Sequence, residues 1–118
     1  MATVLIVDDS AFMRMRCVAT VKEEGYETVE AGDGVEAVAV YKQEQPNAVL
    51  LDITMPNMDG LEALRQIMAF DSNAKVAMVT AMGQQGMVME AMKAGARDFV
   101  VKPFEPDRVK ATLKKLLG

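Results

Sequence analysis

The 118-residue chain has no histidine, no tryptophan and a single cysteine, Cys17. Without histidine there is no imidazole base, no imidazole metal ligand and no phosphohistidine intermediate on this chain. One cysteine excludes an internal disulfide and reads as a cytoplasmic protein, with Cys17 a small apolar residue inside a helix. No apolar run approaches the ~18 residues of a membrane span, and no signal peptide opens the chain, so no membrane contact is expected. Positive charge is also short: 13 Lys and Arg stand against 17 Asp and Glu, a net charge of -4. That balance disfavours nucleic-acid binding, which needs a basic face over the phosphates. The chemistry that remains runs on carboxylates, hydroxyls and lysine.

What is present suits a globular domain, with 51% hydrophobic and 25% charged residues. At this length one core is enough, and positions 1–118 are expected to form a single domain. Five short apolar or β-branched runs read as strands: Thr3 to Val7, Glu27 to Glu30, Ala48 to Leu51, Lys75 to Val79 and Asp98 to Val101. The second is the most polar and belongs at a sheet edge. The third, bounded by turn residues, suits a strand buried on both faces, although periodicity alone leaves a helix segment open.

Helical patterns fill the gaps. Ser10 can cap a first helix that ends near Glu24 before Gly25, with Met13, Cys17, Thr20 and Val21 on one side. Asp33 with Glu36, and Asp59 with Glu62, have the spacing of capping boxes. The second helix then runs to about Glu44, and the third turns Leu61, Leu64, Ile67 and Met68 inward. A fourth is expected from about Gln84 to Lys93, with Val88, Ala91, Met92 and Gly95 on one side. Pro106 suits a first helical turn, and Val109, Leu113, Leu116 and Leu117 form the apolar stripe of a fifth helix. Strands alternating with helices imply an α/β fold with a parallel sheet and right-handed crossovers.

The chemistry gathers where the strands end. Asp8 and Asp9 follow the first strand, Asp52 the third, Thr80 the fourth and Lys102 the fifth. If the strands take the order 2-1-3-4-5, adopted by analogy with flavodoxin-like folds, the first and third are neighbours and the carboxylates converge. Three carboxylates so close repel one another, and a divalent cation with Lys102 would balance them. An all-oxygen ligand set points to Mg²⁺, or Mn²⁺, and leaves one carboxylate free to act as a nucleophile. Phosphoryl transfer onto a carboxylate needs positioning and charge neutralisation more than covalent help, so Asp52 is the candidate acceptor. Taken singly, an Asp or Thr at a strand end is usually a cap and a lone Lys is usually solvated. Their coincidence in chain order is what carries the reading.

The segments L-I-V-D-D-S, L-L-D-I-T-M-P-N-M-D-G, V-T-A-M and A-G-A-R-D-F-V-V-K-P-F resemble receiver domains of two-component response regulators, of the CheY type, across essentially the whole chain. The resemblance implies a (βα)5 doubly wound sheet and names roles by position. Asp52 becomes the phosphoacceptor, and Asp8, Asp9, Asp52 and the backbone carbonyl of Thr54 hold Mg²⁺. Lys102, expected to precede a cis bond to Pro103, pairs with the phosphoryl group. Thr80 is the switch hydroxyl and Phe99 the switch aromatic, with output through the fourth helix, fifth strand and fifth helix. Met82 stands where a polar residue is often found, which bears on self-dephosphorylation.

The implied protein is a monomeric signalling switch whose own chemistry is limited to self-phosphorylation and self-dephosphorylation. Its implied partners are a histidine kinase, a phosphatase, and a flagellar motor switch protein or another protein target. The chemotaxis output rests on the M-G-Q-Q-G-M-V-M-E-A stretch. Among the 11 methionines, Met92 is expected in the core and Met89 on the exposed output face.

Other readings compete. A phosphorelay intermediate or the isolated receiver of a longer regulator would share the same site. An aspartyl-phosphate hydrolase of the haloacid-dehalogenase type would need an Asp at position 54, which is Thr. A flavodoxin-like cofactor binder would place a phosphate against Asp8 and Asp9, which repel it.

Overall fold

In the computed structural model, which describes residues 1–118, five strands and five helices alternate without interruption. They are β1 (Thr3–Val7), α1 (Ala11–Glu23), β2 (Glu27–Ala31), α2 (Gly34–Glu44), β3 (Ala48–Asp52), α3 (Gly60–Phe70), β4 (Val76–Thr80), α4 (Gln85–Ala94), β5 (Asp98–Val101) and α5 (Pro106–Leu117). All strand pairs are parallel, in the order β2-β1-β3-β4-β5. This is the flavodoxin-like order expected by analogy. Every residue of β3 and β4 is buried, as expected for central strands covered on both faces, while β2 lies at the edge and is largely half-exposed.

Successive strand residues point to opposite faces, and the core divides accordingly. Leu5, Val7, Val49, Leu51 and Met78 face α2, α3 and α4, where they meet Tyr41, Leu64, Ile67 and Val88. Val4, Ile6, Leu50, Val79 and Val100 face α1 and α5, against Cys17, Val21, Val109 and Leu113. The N-caps form as the sequence spacing requires, but without the return bonds of full capping boxes, since Glu36 accepts from the Gly32 amide and Glu62 from Gln66. Ser10 Oγ accepts from the Met13 amide at 3.2 Å, Asp33 Oδ1 from Glu36 at 2.8 Å, and Asp59 Oδ1 from Glu62 at 2.9 Å. Burial pushes the Cys17 thiol up to about 12, which suits a packing role.

Some expectations need correction. Asp52 and Thr80 are the last residues of their strands and not the first beyond them, because the parallel register still pairs them with Val79 and Val101. β4 begins one residue later, at Val76. Gly95 lies past the end of α4, with φ of 120°. Met92 is not core: it is 40% exposed, since Val88 and Ala91 already occupy the sheet-facing side of α4.

Candidate functional site

β1 and β3 are neighbours, so the chain segments leaving them bring Asp8, Asp9 and Asp52 together at the carboxyl edge of the sheet. One carboxylate oxygen from each lies within 4.8 Å of the others. Asp8 and Asp52 are buried and Asp9 is exposed. Asp8 is held from several sides. Its Oδ1 accepts from the Ser10 amide at 2.9 Å, closing a short local turn, and its carbonyl accepts from Arg14 Nη1 at 2.6 Å.

Lys102 arrives from the end of β5, where its own amide donates to the Thr80 carbonyl at 2.6 Å. Its ammonium bridges the pair, donating to Asp8 Oδ2 at 2.8 Å and to Asp52 Oδ2 at 3.2 Å. The bond from Lys102 to Pro103 is cis. Asp52 Oδ1 takes no hydrogen bond, and no enclosed side-chain polar atom in the protein lacks a partner, so this oxygen is not fully enclosed.

Electrostatics follow from this crowding. Burial pushes the Asp52 carboxyl up to about 6; the Lys102 charge pulls it down, and the Asp8 and Asp9 charges add to the rise. Burial works against the charge on Lys102, yet the hydrogen bond to Asp8 and the charges of Asp52 and Asp8 outweigh it and lift its pKa above the ordinary value. Three carboxylates share one ammonium, so the cluster is short of positive charge. With only oxygen donors, it fits a hard divalent cation. Thr54 is exposed two residues past Asp52, in the loop leading to α3.

That loop is tightly held. The Gly60 amide donates to the Ile53 carbonyl at 2.6 Å, and any β-carbon at position 60 would collide with the Asp52 carbonyl oxygen. Glycine is therefore required where α3 starts against the end of β3.

The remaining two expected residues make no hydrogen bond to the carboxylates. Thr80 is buried, and its hydroxyl is bonded to Gln84 Oε1 at 2.8 Å, with the Ala81 carbonyl at 3.1 Å. Phe99 is half-buried. Its carbonyl accepts from Arg108 Nη2 at 2.6 Å, and the Arg108 guanidinium lies 6.0 Å from the ring centroid, within cation–π range. Thr80 and Phe99 both line a groove of about 690 Å³ with Met82, Val88, Met89 and Met92. Gln84, expected only as the start of the fourth helix, and Arg108 are not among the site residues expected from the sequence. They act through long side chains reaching across loops, and no motif or periodicity marks such contacts.

The family model for the response regulator receiver domain matches residues 4–114. The chain belongs to that family. This receiver is 58% identical over 116 residues to the chemotaxis protein CheY of Listeria monocytogenes, a match covering 98% of each chain. It is 54% identical over 114 residues to that of Thermotoga maritima, covering 96% of this chain and 95% of the other. Among solved structures it resembles that of the CheX–CheY–BeF3–Mg complex from Borrelia burgdorferi, with a TM-score of 0.94 and 39% identity over 99% of this chain and 90% of that one. The receiver is accordingly a phosphorylation-activated signalling switch of the two-component type, and the flavodoxin-like fold is shared with its structural neighbours. No helix is long and apolar enough to cross a membrane.

Proposed function

We propose that this receiver, a single domain over 1–118, accepts a phosphoryl group on Asp52 from a phosphohistidine of a separate kinase and signals to a flagellar motor switch protein. One observation carries the assignment of Asp52. It is a buried carboxylate with one oxygen tied to Lys102 and the other open, beside two further carboxylates. Asp52 Oδ1 forms the new bond to phosphorus as the donor P–N bond breaks, and the electron pair stays on the leaving imidazole. The nucleophile must be ionised, and a pKa of about 6 leaves it mostly so at neutral pH.

Lys102 holds the acceptor in place before transfer and afterwards offers its ammonium to a phosphoryl oxygen. Asp8, Asp9, Asp52 and the Thr54 carbonyl would hold Mg²⁺, for which Mn²⁺ can substitute. The bound ion supplies positive charge against the negative charge of the transferring phosphoryl group. Asp52 is the only substrate of this chemistry. The group is lost again by hydrolysis, which a phosphatase can speed, and the protein acts on nothing else.

Phosphorylation adds roughly -1.5 to -2 charge at Asp52 and new acceptor oxygens. Thr80 donates to one of them and moves inward, and Phe99 fills the space it leaves. The groove that both residues line is then remade on the face of α4, β5 and α5, where the exposed Met89 and Met92 offer adaptable apolar contacts. The protein works as a cytoplasmic monomer.

The test is calorimetric titration of the purified flagellar motor switch protein into this receiver, with and without beryllofluoride and Mg²⁺. Binding at least tenfold tighter in the activated state is expected, as charge-assisted bonds worth about 1.5–3 kcal/mol allow. Equal affinity in both states would reject the motor switch as the regulated target.

A further inference from the structure

Gln84 is the last residue before α4, and its side chain does not cap that helix. It reaches backward instead. Its Oε1 accepts from the Ala81 amide at 2.7 Å and lies 2.8 Å from the Thr80 hydroxyl. A backbone amide can only donate, so the group facing Ala81 is the carboxamide oxygen and not its NH₂. Thr80 shares that acceptor and donates toward it at 2.8 Å, the shorter of its two contacts, with the Ala81 carbonyl at 3.1 Å as the second acceptor in reach. A hydroxyl has one hydrogen, and while Gln84 holds it none is left for an oxygen on Asp52. The Gln84 carbonyl meanwhile accepts from the Val88 amide at 3.0 Å, which joins the same residue to the first turn of α4.

We propose that Gln84 is the off-state latch of the switch, a positioning residue that holds the Thr80 hydroxyl away from Asp52 and ties its release to the start of α4. The inference rests on the reading of Asp52 as acceptor and Thr80 as switch hydroxyl. When Thr80 turns to a phosphoryl oxygen, Gln84 loses one of its two bonds, and the Ala81–Gln84 turn that leads into α4 loosens. The latch sets how strongly the unphosphorylated state is favoured. It touches neither the acceptor nor the metal ligands.

The test uses amide NMR of the wild type, Gln84→Met and Gln84→Glu, each titrated with beryllofluoride at fixed Mg²⁺. Gln84→Met keeps the length of the side chain and removes the acceptor, so its half-saturation is expected to fall about fivefold, the worth of one neutral hydrogen bond. Gln84→Glu keeps an acceptor oxygen and adds charge to it, so its half-saturation is expected to be no lower than that of the wild type. Before any additive, the Ala81 amide and Thr80 signals of Gln84→Met should already sit part way toward their saturated positions. An unchanged titration in Gln84→Met, or equal shifts in both variants, overturns the latch. A wild type that does not respond to beryllofluoride rejects the reading of Asp52 instead. The additive-free spectra still decide the latch in that event, because an Ala81 signal that stays put in Gln84→Met overturns it.

Discussion

Asp52 is held in a state that costs stability above neutral pH. Burial pushes its carboxyl up to about 6, from the ordinary value of 3.8 that an unfolded aspartate keeps. Because the folded pKa is the higher one, the native state binds the proton more tightly. The stability this gives is full below the unfolded value and is lost as pH rises through the folded value. Replacing the carboxylate by a neutral amide removes the dependence. In metal-free buffer, Asp52→Asn should therefore be more stable than the wild type by on the order of 2 kcal/mol above about pH 7. The gap should narrow as pH falls toward about 4, where both side chains are neutral. Urea denaturation over a pH series measures it, and a gap that does not change with pH would show that burial and carboxylate crowding do not govern Asp52. At this scale the placement of Asp8, Asp9, Asp52, Thr80 and Lys102 at the carboxyl ends of the strands is legible in the sequence, because each stands where an apolar run stops. Ser10 is half-legible: its position two after Asp8 suits the local turn that its amide closes. Gln84 and Arg108 are not, because a long polar side chain near a helix start carries no sign of which way it reaches.

The elements do two jobs, and their glycines separate them. At Gly60 a β-carbon would meet the carbonyl of Asp52 and Cα of Ile53, both main-chain atoms that cannot step aside cheaply. At Gly86, inside α4, a β-carbon meets nothing within 4 Å. Gly60→Ala should therefore destabilise by about 1–3 kcal/mol through overpacking and slow phosphorylation by shifting the end of β3. Gly86→Ala should stabilise by about 0.4–1 kcal/mol through the unfolded chain, with phosphorylation unaffected. Thermal unfolding of the two variants beside the wild type checks the opposite signs. Two destabilised variants would mean that α4 does not hold Gly86 in open helical space. Element order and the caps of α1, α2 and α3 are readable in advance because period, turn residues and capping residues agree there. Met92 is misread because α4 buries only a narrow stripe, and an apolar residue beside that stripe has the same spacing as one on it. The exact strand ends escape for a related reason: parallel hydrogen bonding carries Asp52 and Thr80 into the sheet despite their polarity.

Across the whole molecule, the sheet order places the proposed acceptor and the proposed output face on adjoining strands. Asp52 ends β3, Thr80 ends β4, Lys102 follows β5, and the groove beside α4 is lined by Thr80 and Phe99. A local change in charge thus has a short route to an exposed face. Moving the equilibrium from a few per cent active to mostly active takes on the order of 3–5 kcal/mol of differential contact, within reach of a few charge-assisted hydrogen bonds. The strand order itself is not legible in the residues and comes only by analogy, since alternation of strands and helices implies a parallel sheet without ranking its members. All of this depends on Asp52 accepting the phosphoryl group with a divalent cation beside it. The direct measurement is the intact mass of the purified protein after incubation with acetyl phosphate and Mg²⁺. The wild type should gain the mass of one phosphoryl group, while Asp52→Ala, and the wild type treated with a metal chelator, should gain none. No gain in the wild type, or the same gain in Asp52→Ala, would contradict the account.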